Sequence, residues 1–158
     1  MITLTDILNK ISAVIAEVFP ERYVHINQMP DQYERPAFYL DLVTTRRTRN
    51  NVGVDETEIY LTLTITEKLT VERKGDQLAA LQDMETVLGL FRMEKLPVGD
   101  RVLPVKASSG GQSEGEAYVE LTVTLREAIG YEPGKGLAQI ESVLSTISVK
   151  GDEIDESR

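Results

Sequence analysis

The sequence predicts an α+β domain: an antiparallel β-sheet of about four strands with two amphipathic helices packed on one face. Three observations predict it. Two segments repeat apolar residues at helical spacing, four alternate them with period two, and the alternating segments come in consecutive pairs. Paired strands favour hairpins and an antiparallel sheet. Two helices with one apolar stripe each are enough to cover one face of such a sheet.

Thr5 and Asp6 read as the start of the first helix, with Thr5 as N-cap and Asp6 near the positive helix end. Ile7, Ile11, Val14, Ile15 and Val18 follow at helical spacing, and Leu8 widens the stripe. Pro20 stops the helix soon after Phe19, so it is expected over residues 6–18. Tyr23 to Ile26 is a short β-prone segment, followed by a polar stretch that ends at Pro36. From Ala37 to Thr45, Phe38, Leu40 and Leu42 share one face, while Tyr39, Asp41 and Val43 share the other. Arg46 to Gly53 breaks that alternation and reads as a long basic connection. Between Glu56 and Lys68 the alternation is clearer: Ile59, Leu61, Leu63 and Ile65 face one way, and Tyr60, Thr62, Thr64 and Thr66 the other. One face on a core and one polar face is the signature of an antiparallel strand.

Lys74-Gly75 reads as a turn and Asp76 as the cap of a second helix. Its stripe is Leu78, Leu81, Met84, Leu88 and Phe91, with Ala80 and Val87 beside it. Gly89 inside that helix costs ~1 kcal/mol relative to alanine. Pro97 and Gly99 close the region. Arg101–Ala107 and Glu116–Glu127 form a second expected hairpin, joined by a loop from Ser108 to Gly115 that is flexible by composition. Beyond Ala128, Leu137, Ile140, Val143, Leu144 and Ile147 fit a further amphipathic helix, while Thr146 to Val149 fits a strand equally well. Residues 1–150 are expected to form a single domain without internal repeats. Residues 151–158 form an acidic tail with little to bury, expected to be disordered.

Composition narrows the function. The chain has 158 residues, enough to bury a core without metal or disulfide. Its 26 acidic and 17 basic residues give a net charge of -9, which disfavours sequence-independent nucleic-acid binding. The absence of cysteine excludes disulfides, thiol catalysis and cysteine-ligated metals. No apolar run approaches the ~20 residues that cross a bilayer, and the first 30 residues lack the pattern of a signal peptide.

Catalytic patterns are absent from the sequence. His25 is the one histidine, in a short β-prone segment, with no nucleophile-elbow motif to serve. No zinc cluster or calcium-loop spacing occurs. The glycines at 110–111 and 134–136 lack the context of a phosphate cradle. We therefore expect no enzyme and no cofactor or metal. What remains is interface chemistry. Arg46, Arg47 and Arg49 lie within four residues in an acidic chain; they suit a solvated loop or, since arginine forks match carboxylates, an interface with a neighbouring subunit, and less well DNA, for want of interleaved aromatics. The polar strand face carrying Tyr60, Thr62 and Thr64, with Tyr39 and Tyr118 nearby, suits either solvent or a flat contact with a partner.

The opening carries a family likeness. Met1 to Ile7, an amphipathic helix ending in Phe19-Pro20, a short strand, Gln32, and then Arg35-Pro36-Ala37-Phe38-Tyr39-Leu40 together resemble the tail-terminator proteins of tailed bacteriophages and prophages. These are also called tail-completion or tail-to-head joining proteins. The likeness is best over residues 1–66 and weaker through residue 125. It implies an α+β fold and a homo-hexameric ring on the head-proximal end of a tail tube. That ring stops tube polymerisation and meets the head connector or collar, and in contractile systems the sheath. Phage-tail-like bacteriocin particles use the same part. The resemblance further implies assembly in the host bacterial cytoplasm and no catalytic residues. The alternatives are a connector or neck protein, a small non-enzymatic ligand-binding or regulatory α+β domain, and last a hydrolase.

Overall fold

The computed structural model describes residues 1–72, 75–113 and 115–129. Among them the chain forms two α-helices and a six-stranded sheet. The elements are α1 (Leu4–Val18), β1 (Tyr23–Ile26), β2 (Ala37–Asn51), β3 (Val54–Thr66), α2 (Gln77–Leu90), β4 (Lys95–Val98), β5 (Arg101–Ser113) and β6 (Glu116–Ala128). The sheet order is β1-β2-β3-β6-β5-β4. The α+β class is as the sequence predicts, but the sheet has six strands, not about four, and it is mixed. β1 runs parallel to β2, in a register from Tyr23 opposite Ala37 to Ile26 opposite Leu40. The polar segment between them carries the chain back without a hairpin. Asn27, at φ 59°, starts that return: its N–H donates to the Leu40 carbonyl at 2.9 Å, and its side-chain oxygen accepts from Leu42 N at 3.0 Å. The expected readings of residues 130–158, including the helix-or-strand alternative and the acidic tail, lie outside the described residues.

The described chain forms two compact units: residues 1–47 with 57–125, and residues 48–56 with the chain from Arg126 on. In the first unit, both helices share one core with one face of the sheet. Ile7, Ile11 and Ile15 from α1, Ala80, Met84 and Val87 from α2, and Phe38, Leu40, Leu61, Leu63, Val105, Leu121 and Val123 from the strands join it. α1 packs on β1 and β4, and α2 packs on β5. The buried strand residues alternate, and among the described residues both helices lie on the buried side.

The cap of helix α1 lies two residues before the expected one. Thr3, not Thr5, is the N-cap: its hydroxyl accepts from Asp6 N at 3.1 Å, while Asp6 Oδ2 accepts from Thr3 N at 2.8 Å. That reciprocal pair is a capping box. The Thr3 backbone N–H holds the Asp6 carboxyl below its usual range, with the Thr3 hydroxyl adding to the effect. Thr3→Ala is expected to cost about 1 kcal/mol, read as a lower melting temperature with unchanged native secondary structure. Helix α2 is capped by Asp76 as expected, through Ala79 N at 3.2 Å. Its buried side is Ala80, Met84 and Val87, followed by Phe91, whereas Leu78 is exposed. The stripe is therefore turned toward the small residues, which let the helix sit close to the strands.

Two expected loops are strand. β2 continues through Arg46–Asn51 to a two-residue turn at Val52-Gly53, and β5 continues through Ser108–Ser113. The register of β5 against β6 shifts between Ser109 and Gly111, where Gly111 has φ 103°. Lys95–Val98, expected only to close the α2 region, pairs antiparallel with β5 as an edge strand. Its Lys95 and Pro97 suit an edge, since proline offers no ladder donor and lysine resists strand addition. Thr66, expected on the polar face, is buried at 1% exposure. Its hydroxyl donates to the Ala37 carbonyl at 3.0 Å and accepts from Ala37 N at 3.2 Å, so the buried group is satisfied on both counts.

Two further features hold the first unit together. Gly75, before α2, lies against Gly115 in the β5–β6 turn so closely that a Cβ on Gly75 would fall 2.4 Å from the Gly115 carbonyl oxygen. Gln77 Oε1 accepts from Gly115 N at 2.8 Å beside that contact. The second feature is a buried polar cluster. Arg22 Nη1 reaches Asp83 Oδ2 at 2.7 Å and Glu67 Oε2 at 3.3 Å, and its guanidinium lies 4.9 Å from the Phe19 ring centre and 5.5 Å from that of Phe38. Arg35 Nε donates to the Glu67 carbonyl at 2.7 Å and Arg35 Nη1 to the Tyr33 hydroxyl at 3.2 Å.

In the second unit the turn at Val52-Gly53 is closed by Asn51, whose side-chain oxygen accepts from Gly53 N at 2.8 Å. Ile129 N donates to the Gly53 carbonyl at 3.0 Å and Arg126 Nε to Glu56 Oε2 at 2.6 Å, so these ends of β3 and β6 run antiparallel. Arg49 Nε pairs with Asp55 Oδ1 at 3.3 Å.

Candidate interaction surface

The sheet face opposite the helices is a polar surface of regular geometry in the first unit. Period-two alternation puts residues i and i+2 on one side, and three neighbouring strands use that spacing in the same way. On β2 the Tyr39 hydroxyl donates to Asp41 Oδ1 at 3.4 Å; on β3 the Tyr60 hydroxyl donates to Glu58 Oε1 at 2.8 Å; on β6 the Tyr118 hydroxyl donates to Glu116 Oε1 at 3.0 Å. Each hydroxyl is engaged by a carboxylate on its own strand. Thr62, Thr64, Thr122 and Thr124 are half-buried between them, and Val43 is 59% exposed. An open depression of about 370 Å³ runs across the face, lined by Val43, Thr44, Tyr60, Thr62, Glu120 and Thr122 among others.

The electrostatics follow from these contacts. Burial, then the Asp41 charge, pushes the Tyr39 phenol up. The hydrogen bond to Glu58 raises Tyr60. Glu58 itself is held low, first by Arg46 and then by Tyr60. Arg46 Nε meets Glu58 Oε1 at 3.1 Å, and its Nη2 bonds to the same oxygen. Arg46 therefore belongs to the Tyr60–Glu58 group and not to a basic loop. Arg49 is paired with Asp55 inside the second unit. Arg47, exposed on β2, has no hydrogen-bond or ion-pair partner among the described residues. The three arginines expected to act together are thus placed in a strand, with two of them engaged within their own chain.

Other residues singled out in the sequence stand apart from this face. His25 sits on β1 between Tyr23, at 6.0 Å between ring centres, and Tyr33, at 6.4 Å. Its Nε2 is buried and has no hydrogen-bond partner among the described residues, so neither a nucleophile nor an orienting acid is bonded to that nitrogen. The described residues contain no group of three or more His, Asp or Glu able to hold a metal ion. No described helix is long and apolar enough to cross a membrane. The Tyr–carboxylate pairs escaped the sequence reading, although Tyr-x-Asp and two Glu-x-Tyr spacings on alternating strands signal them.

Comparison with known families decides what kind of protein carries this face. The model of a family described as phage tail terminator protein matches residues 6–124. The chain belongs to the phage tail terminator family. The match runs from the first turn of α1 into β6 and includes both helices and every strand. A search of curated proteins finds no match. As a tail terminator the chain is a structural component of the phage tail, and its working surfaces are contacts with other tail parts.

Proposed function

We propose that this chain caps the end of a phage or phage-like tail tube as a homo-hexameric ring, stopping polymerisation and joining the tube to the head connector or collar. Its neighbours are then copies of itself, the tail tube protein and, in a contractile tail, the sheath. A ring needs two different patches on each subunit that fit one another. The observation that carries the reading is a sheet face that carries no helix among the described residues, on a chain of the tail terminator family. Tyr60, Thr62 and Thr64 supply the flat part of one patch. Arg47 supplies a cation without a partner among the described residues, with Arg46 and Arg49, each already paired within its own chain, as further candidates.

Electron microscopy of tails assembled with and without the protein tests the role, with overlong or ragged tubes expected in its absence. The face is tested by Thr62→Lys with Thr64→Lys. These exposed-side changes are expected to keep the circular dichroism and abolish capping, and Arg47→Glu is expected to weaken it. If the double variant caps tubes as well as the parent chain, the sheet face is not the contact. Particle mass separates this reading from a small ligand-binding domain: the ring runs near six chains, a ligand-binding domain as one or two.

A further inference from the structure

We propose that Glu67 and Asp83 hold one proton between them in the folded chain, and that this shared proton ties the exit of β3 to α2. The proposal is independent of the tail role. Arg22 Nη1 serves both carboxylates, at 2.7 Å to Asp83 and 3.3 Å to Glu67, and Arg22 Nη2 adds a longer contact of 3.5 Å to Glu67 Oε1. The Glu67 side chain is 5% exposed and that of Asp83 17%. Two carboxylates therefore meet one cation in a nearly dry site. The other cation packed there, Arg35, spends its Nε on the Glu67 backbone carbonyl and its Nη1 on the Tyr33 hydroxyl. With both acids ionised, two negative charges would meet the one guanidinium that reaches their carboxyl oxygens, a costly state that uptake of one proton relieves. A proton on one carboxyl also supplies the donor that two ionised carboxylates lack. Burial and the Asp83 carboxyl push Glu67 up to about 8, against the opposing pull of Arg22.

The direction of the pH effect follows. An unfolded glutamate loses its proton near pH ~4.3, while the folded pair keeps one to about pH 8. Between those values the native chain binds a proton that the unfolded chain does not. Stability from this source is full below the lower value, declines as pH rises through the window and levels off above it.

The experiment uses the full chain. Because histidines ordinarily titrate in the same window, it is done in a His25→Asn background. Proton release on denaturant unfolding at pH 6.5 is measured calorimetrically in buffers of different ionisation enthalpy. About one proton per chain is expected, and none for the same chain with Glu67→Gln, which keeps a donor to Asp83 without titrating. Carboxyl carbon NMR of the native chain provides a test that needs no variant at position 67. A Glu67 or Asp83 signal titrating near pH 8 supports the shared proton. Both signals titrating in the ordinary carboxylate range, or equal proton release with and without Glu67→Gln, would overturn it.

Discussion

Arg22→Ala is expected to lower the unfolding free energy by about 3–5 kcal/mol at neutral pH, the usual loss when one partner of a buried ion pair is removed. The guanidinium is the group that both Glu67 and Asp83 face, and it also covers the rings of Phe19 and Phe38. Its removal leaves the Glu67–Asp83 pair without its cation and uncovers aromatic surface. The two costs separate by pH and by chemistry. At pH 5 the abandoned carboxyls can take up protons, so the deficit should shrink. Arg22→Met restores the covering without the charge and should recover the packing share alone. Denaturant unfolding at pH 5 and 7.5 measures both. A loss below about 1 kcal/mol for the alanine variant at pH 7.5 would show that the cluster is solvated like a surface pair.

Gly115→Ala is the second large effect, expected at roughly 2–4 kcal/mol from strained backbone plus overpacking. Gly115 has φ 82°, in the region that side chains rarely adopt. A Cβ there would also lie 2.5 Å from the Gly75 carbonyl oxygen and 2.6 Å from its nitrogen and Cα. These are backbone atoms, so no rotamer change relieves the clash. Moving the turn would also stretch the bond from Gly115 N to Gln77. The variant should melt well below the parent, and amide exchange should rise first at the start of α2 and in the β5–β6 turn. If the melting temperature stays within a degree of the parent, the close approach of the two glycines does not exist in solution.

How far the sequence could be read varies by element, for physical reasons. The α1 stripe is legible at Ile7, Leu8, Ile11 and Ile15 because apolar spacing reports which side is buried, whereas Val18, expected in it, is exposed at the helix end. Its cap was misplaced by two residues because Thr3 and Thr5 are equally good cap residues, and only the reach of Asp6 back to Thr3 N distinguishes them. Arg46–Asn51 and Ser108–Ser113 were read as connections because their side chains are exposed and polar. Strand pairing is a backbone property, and solvated strand ends leave no apolar trace. β1 and β4, with four residues each, are too short to show alternation. The parallel sense of β1 depends on the path of a polar segment that carries no periodic signal. Of the candidate surface, Tyr60, Thr62 and Thr64 were legible by period two. The engagement of Arg46 and Arg49 was not, since it depends on strand register. The Arg22 cluster was beyond reach: its partners are 45 and 61 residues away in the chain, and nothing local announces them.

The sheet order has a kinetic consequence. On one side of the β3–β6 junction the ladder is assembled from residues 23–66, and on the other from residues 95–128, each mostly by neighbours in the chain. The junction alone must bring together strands separated by the whole of α2 and the β4–β5 hairpin. Closing that long loop carries the largest entropic cost in the ladder, so the two hairpins should nucleate early and zip together late. Whatever slows this protein's folding should be found at that seam.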